Sequence, residues 1–188
     1  IALGNMFLSK HPNRYLPGKW PTYYKKAKGC KITALDNKTY TDFSMMGIGT
    51  NVLGYANKNV DNAVKKVINT STMSTLNCFE EVELAEQLKS IHKWADKVHF
   101  TRTGGEANAV AIRLARAASG KNNIAVCGYH GWHDWYLATN LNNKNNLNQH
   151  LLKGITTKGV SSSLKNTTFP FYYNDFHSLE KIVSKFNI

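Results

Sequence analysis

Acidic residues are scarce in this chain: 12 Asp plus Glu stand against 24 Lys plus Arg, giving a formal charge of +12. Such an imbalance invites a nucleic-acid reading. Arginine is equally sparse, however, confined to Arg14, Arg102, Arg113 and Arg116, and the only dense basic cluster is Lys25, Lys26, Lys28 and Lys31. The other lysines are scattered among asparagines, as in Asn142-Asn143-Lys144-Asn145-Asn146. The charge therefore reads as a solvated basic face, and no nucleic-acid partner is expected. Cysteine is nearly missing. Cys30, Cys78 and Cys127 are odd in number and lack ligand-like spacing, which argues against a disulfide framework or a metal cluster and predicts reduced, buried thiols in a cytoplasmic protein. No apolar run approaches the roughly 18 residues that a membrane span needs, so no membrane partner is expected. Ile1 to Leu8 carry neither the basic start nor the apolar block of a signal peptide. Internal repeats are lacking too.

What is present is a chain of 188 residues with 42% hydrophobic content, enough for a globular α/β core. Residues 1–30 read as irregular, punctuated by Pro12, Pro17, Gly18, Pro21 and Gly29. Residues 31–44 read as a β-hairpin turning at Asp36-Asn37-Lys38. A Gly-spaced loop from Met46 to Gly54 follows, its backbone free enough to line a pocket. Val60, Ala63, Val64, Val67 and Ile68 mark one helix, and Val82, Ala85, Leu88 and Ile91 another. From residue 97 on, extended and helical segments alternate, which predicts a mainly parallel sheet with covering helices. Leu179, Ile182, Val183 and Phe186 mark the last helix, and the Asn-rich run at 140–149 reads as an exposed loop.

The most informative stretch runs from Val98 to Ala109, where an extended segment passes through Gly104 and Gly105 into a helix. Ala107, Val110, Ala111, Leu114, Ala115 and Ala118 set the helical period, and Gly120 stands at its C-terminal cap. A helix start presents unpaired N–H groups and the positive end of the macrodipole, and two glycines let an anion approach them. Thr103 adds a hydroxyl. Glu106 would oppose an anion if turned inward, so it is expected to bond elsewhere in the first turn. A second apolar strand, Ile124-Ala125-Val126, breaks into Cys127-Gly128-Tyr129-His130-Gly131-Trp132-His133-Asp134. His130, His133 and Asp134 do not complete a metal site, because Gly131 and Trp132 intervene and no further ligand cluster accompanies them.

Thr103 to Ala117, followed by Gly120-Lys121 and Gly128-Tyr129-His130-Gly131, resembles the signature of class III pyridoxal-phosphate-dependent aminotransferases. Within that class the likeness is greatest to glutamate-1-semialdehyde aminomutase and its relatives. It extends to Leu35-Asp36-Asn37-Lys38-Thr39-Tyr40-Thr41-Asp42-Phe43, to the helix from Glu81 to Leu88 and to Tyr173-Asn174-Asp175, and so from about residue 28 to the end. The resemblance implies a fold-type-I α/β architecture, with residues 1–50 as an N-terminal segment and 51–188 as an incomplete cofactor-binding large domain. It implies pyridoxal 5′-phosphate as cofactor, a small amino acid or amino aldehyde as substrate, and a homodimer. Gly104, Gly105 and Thr103 would hold the phosphate, Tyr129 would stack on the pyridine ring, and His130 would support its surroundings. Arg14, with Trp20 nearby, would meet the substrate carboxylate. The Schiff-base lysine would lie beyond residue 188, so that this stretch alone is expected to be inactive.

Two departures from the family pattern stand out. Gly105 replaces the Thr or Ala that usually follows the first glycine, and Gly54-Tyr55-Ala56-Asn57-Lys58 loses the usual His and Pro, which bears on substrate class. Two rivals stay open. A dinucleotide-binding module would need G-x-G-x-x-G spacing and an acidic residue after the second strand, where Cys127-Gly128-Tyr129 stands instead. A noncatalytic protein could keep the fold without the lysine.

Overall fold

The computed structural model describes residues 4–150 and 153–188; the first residues of the Ile1 to Leu8 stretch, 1–3, lie outside them. The chain divides into two compact units, Ile1–Leu84 and Ala85–Ile188.

The first unit is built on an antiparallel sheet of β1 (Tyr24–Lys28), β2 (Lys31–Ala34) and β3 (Thr39–Thr41), in that order. The β2–β3 hairpin turns where predicted. Asn37 takes φ 66°, a left-handed conformation that asparagine tolerates, and Asp36 Oδ1 accepts the Lys38 N–H at 3.1 Å. The strand β1 lies in the stretch read as irregular, because its Tyr-Lys-Lys-Ala-Lys sequence lacks an apolar alternation. Backbone pairing with β2 supplies what the side chains do not signal. Gly29 turns between the two strands and bridges to Tyr55 through N–H···O bonds of 2.8 and 2.9 Å. The Tyr55 hydroxyl donates to Asp42 Oδ2 at 2.6 Å, which closes the base of the Gly-spaced loop. The helix α1 (Lys58–Ile68) then starts at Asn57, whose side chain accepts from Asn59 and Val60 N–H. The helix α2 (Phe79–Ile91) runs across the boundary between the units.

The second unit contains α3 (Gly104–Ser119), β4 (Ile124–Val126), α4 (Asp134–Leu137), α5 (Thr139–Asn142), β5 (Thr168–Pro170) and α6 (Phe176–Lys185). β4 and β5 pair in parallel, with Ile124 opposite Thr168 and Val126 opposite Pro170. Val98–Phe100, expected as a strand, stays outside this ladder, since no described strand lies beside it to take its hydrogen bonds. The core is formed by Val126, Trp135, Tyr136 and Leu147, with Ala109 and Ile112 of α3 packed on it. This corrects most of the apolar stripe read from the sequence: Val110 is half-buried but Leu114 is 61% exposed and Ala107, Ala111, Ala115 and Ala118 are exposed too, while Gly105, Asn108, Ala109 and Ile112 on the adjacent stripe are half-buried. An alanine-rich helix offers two acceptable apolar stripes, and the bulky partners around Trp135 select one of them.

The Asn-rich run is a second correction. Asn140, Leu147 and His150 are buried, at 4%, 0% and 5% exposure. Asn140 Oδ1 accepts the Leu147 N–H at 2.9 Å, its Nδ2 donates to the Ile155 carbonyl at 3.2 Å, and Asn146 Nδ2 donates to the Thr139 carbonyl at 2.9 Å. Asn140 and Asn146 thus satisfy backbone groups of the interior, while Asn143 and Asn145 stay exposed as expected. The thiols are free as expected but not buried: Cys30 and Cys78 are exposed and Cys127 is half-buried. In α6, Asp175 caps the start by accepting the Ser178 N–H at 3.0 Å, and Phe186 beyond its end stacks on Phe169 at 3.9 Å. Among the described residues no helix is long and apolar enough to cross a membrane.

Candidate anion and aromatic-ring site

The start of α3 is organised by two reciprocal side-chain bonds. Thr103 is the N-cap, with φ −138° and ψ 155°, and its Oγ1 accepts the Glu106 N–H at 3.2 Å. Glu106 folds back so that its Oε2 accepts the Arg102 N–H at 2.9 Å. The carboxylate is thereby engaged behind the helix start, as its awkward charge requires, in a variant of the capping box. The N–H groups of Gly104 and Gly105 have no acceptor among the described residues. They are the donors that an anion at a helix start uses, and the Thr103 hydroxyl hydrogen is free to join them.

The second half of the site comes from the segment after β4. Gly128, at φ 86°, turns the chain sharply, and both polar groups of its backbone are held by side chains. Its N–H donates to His150 Nδ1 at 2.8 Å, and its carbonyl accepts from the Tyr136 hydroxyl at 3.0 Å. Tyr129 follows, 40% exposed, with its ring edge-on to Tyr136 at 5.9 Å. One aromatic contact holds the ring and much of it stays open. His130 also lies edge-on to Tyr136, at 6.0 Å, and its Nε2 lies 2.7 Å from the Cys127 carbonyl, so this nitrogen carries the proton and donates. Asn108 of α3 donates from Nδ2 to the His130 carbonyl at 3.3 Å.

The chain then crosses α3. A Cβ placed on Gly131 would stand 3.4 Å from Gly105 Cα, and one placed on Gly105 would stand 2.6 Å from His133 Nε2. Gly104, by contrast, has open space around its Cα. The Gly131-to-His133 turn is therefore seated on Gly105, with the His133 imidazole against that residue. Tyr136 is pushed up to about 12 by burial and by the neighbouring Tyr129 phenol. Burial holds His150 below its ordinary value, so it is neutral near pH 7.

Thr103, Gly104, Gly105 and His130 thus belong to two packed segments of one unit, and Tyr129 lies on the same segment as His130. Arg14 ends a single helical turn, Pro12–Arg14, in the other unit and is exposed, while Trp20 stacks on Tyr15 at 4.3 Å. Among the described residues no group of three His, Cys, Asp or Glu is placed to hold a metal ion. Sequence reasoning passed over Asn108, Tyr136 and His150, and weighed His133 only as a metal ligand. For His133 the signal was present, an imidazole three residues past His130 in a turn with Gly131. For His150 there was none, since it meets Gly128 across 22 residues of sequence.

The comparisons show the family and the fold. The family model described as Aminotransferase class-III matches residues 16–169. The chain is 29% identical over 175 residues to 3-aminobutyryl-CoA aminotransferase of Cloacimonas acidaminovorans (strain Evry), covering 93% of this chain and 38% of that protein. It is 33% identical over 177 residues to glutamate-1-semialdehyde 2,1-aminomutase of Nitrosopumilus maritimus (strain SCM1), covering 93% and 40%. The chain thus spans about two fifths of the length of these relatives. Among solved structures it superimposes on the PLP-bound FumI protein of Sphingopyxis sp. MTA144 with a TM-score of 0.77 and 26% identity, over 96% of this chain and 39% of that one. An omega-transaminase from Sphaerobacter thermophilus follows with a TM-score of 0.74 and 22% identity, covering 93% and 42%. The architecture is that of fold-type-I PLP-dependent transferases. With the family match extending over most of its length, the chain belongs to the class-III aminotransferases.

Proposed function

We propose that this chain holds pyridoxal 5′-phosphate for an aminotransferase or aminomutase reaction on a small amino acid or amino aldehyde. The observation that carries the reading is the pair of unpaired Gly104 and Gly105 N–H groups, with Gly105 packed against the turn that follows Tyr129 and His130. The donor set fits a phosphate: two backbone N–H groups, the Thr103 hydroxyl and the His133 imidazole, with Glu106 engaged elsewhere. Tyr129, edge-on to Tyr136 and open to solvent, would cover one face of the pyridine ring. His130 anchors the strand end by donating to Cys127 O, which keeps Tyr129 in place rather than moving a proton itself. When bound, pyridoxal phosphate supplies the electron sink that stabilises negative charge on the substrate carbon.

The finer parts of the reading go together. The family resemblance supports an aminomutase-like use of this site, and the similarity to an aminobutyryl-CoA aminotransferase supports intermolecular transfer as well. The catalytic lysine would come from outside these residues, which leaves the chain by itself inactive. Residues 1–50 would serve as an N-terminal segment, with Arg14 reaching the substrate carboxylate, and 51–188 would belong to the large domain. Exposed Met45, Val52 and Leu53 suit a homodimer contact in a cytoplasmic enzyme.

The test is Gly104→Pro. Thr103 is already extended, and proline is tolerated at the first helical position, so the variant removes one N–H donor and leaves the helix intact. Pyridoxal phosphate binding, followed by absorbance and fluorescence titration, should weaken about tenfold, whereas pyridoxal without phosphate should bind unchanged. Equal affinity of the unmodified protein for the two compounds would overturn the phosphate assignment.

A further inference from the structure

His150 is the one buried titratable imidazole in the second unit that the proposed chemistry does not use, and it is wired to the segment that does. It is 5% exposed and anchored by its own N–H, which donates to the Leu147 carbonyl at 3.0 Å, with Leu147 fully buried in the core. Its Nδ1 accepts the Gly128 N–H at 2.8 Å. An imidazole nitrogen that accepts carries no proton, so in the neutral ring the proton sits on Nε2. That Nε2 is buried and has no partner among the described residues.

The groups facing the ring are few. His130 approaches from the turn after β4, the Tyr172 ring lies nearly parallel at 6.1 Å from the segment after β5, and the Gly128 peptide closes the third side. None of them is a carboxylate. A proton on Nδ1 would set a donor against the Gly128 donor, with no nearby negative charge in compensation. The carbonyl side of Gly128 is held by Tyr136, which would remain. Losing the His150 bond would free one side of a left-handed turn directly before Tyr129.

We propose that His150 is a positioning residue for Tyr129: its neutral Nδ1 fixes the Gly128 turn, and protonation releases it. The consequence for cofactor binding rests on the reading of Tyr129 given above, whereas the backbone contact does not. A bond spanning 22 residues is well placed for this, because it ties the turn to the buried Leu147 rather than to its own flanks.

The test compares the unmodified protein with His150→Asn and His150→Phe by amide hydrogen exchange and by pyridoxal phosphate titration, both at pH 8 and pH 5.5. The asparagine Oδ1 can accept the Gly128 N–H at either pH, and phenylalanine at neither. The unmodified protein should lose about tenfold of its intrinsic-rate-corrected Gly128 protection on acidification, and H150N should keep it. H150F should lack that protection at both pH values. Pyridoxal phosphate affinity should fall several-fold more on acidification in the unmodified protein than in H150N. If H150F does not fold, the comparison of the unmodified protein with H150N decides. Equal loss of Gly128 protection in those two would overturn the proposal. So would unchanged affinity ratios in the face of altered Gly128 exchange. A protein that shows the exchange pattern and binds no pyridoxal phosphate would confirm the backbone role and overturn the function proposed for the site.

Discussion

The His133 imidazole roofs Gly105, with Nε2 only 2.6 Å from where a Cβ on that glycine would stand. Gly105 is not required by its backbone conformation, which is helical, so it is the space above it that excludes a side chain. Gly104 next to it has nothing within 4 Å of a Cβ. The two glycines therefore differ in what they permit, although in sequence they look alike.

Substitution should separate them. Gly104→Ala is expected to leave stability within about 0.5 kcal/mol and pyridoxal phosphate affinity within a factor of two or so, since alanine suits a helix and the N–H is kept. Gly105→Ala should displace His133 and weaken pyridoxal phosphate by roughly tenfold, while the helix itself survives. Spectrophotometric titration of both variants, with circular dichroism as the folding control, checks the contrast; equal affinities would show that His133 has no part in binding.

Tyr129 offers a ring and has no hydrogen bond from its hydroxyl among the described residues. Tyr129→Phe should therefore hold pyridoxal phosphate nearly as well as the unmodified protein. Tyr129→Ala should lose about 1 kcal/mol or more of binding, the scale of an aromatic stacking contact, seen as a five-fold or greater rise in Kd. Equal weakening by Phe and Ala would instead assign the binding contribution to the hydroxyl.

The N-cap of α3 gives a stability prediction. Thr103→Ala removes the acceptor of the Glu106 N–H and should cost about 1 kcal/mol in chemical denaturation, whereas Thr103→Ser should cost little. Loss of the Thr103 hydroxyl should also weaken pyridoxal phosphate more than pyridoxal.

Stability should fall away on both sides of neutrality. His150 is held below its ordinary value of 6.5 chiefly by burial, so the unfolded chain binds its proton more readily and stability is lost as pH falls below that value. Tyr136 is raised from 10.0 to about 12, again chiefly by burial, so its contribution is full below pH 10 and is lost as pH climbs toward 12. Urea midpoints across pH 5 to 11 should trace a plateau with two declining flanks, and H150N should flatten the acid one. An acid flank that persists unchanged in H150N would assign that loss to other groups.

The sequence by itself determined the local elements and the chemistry they can offer. The Asp36-Asn37-Lys38 turn, the Thr103 cap before two glycines, the Gly120 stop and the strand ending at Val126 all follow from backbone and capping preferences of a few adjacent residues. The helix start brought Gly104 and Gly105 to notice, and the resemblance to class III aminotransferases singled out Thr103, Tyr129 and His130 beside them. Tertiary structure decided which stripe of α3 packs on the core, because Trp135 and Tyr136 select between two alanine-rich faces that periodicity does not rank. It also decided that the asparagines around Asn140 turn inward, that His133 sits on Gly105, and that His150 holds Gly128. Each of these depends on residues far apart in the chain meeting in one place, and a pattern read over adjacent positions carries no term for that meeting.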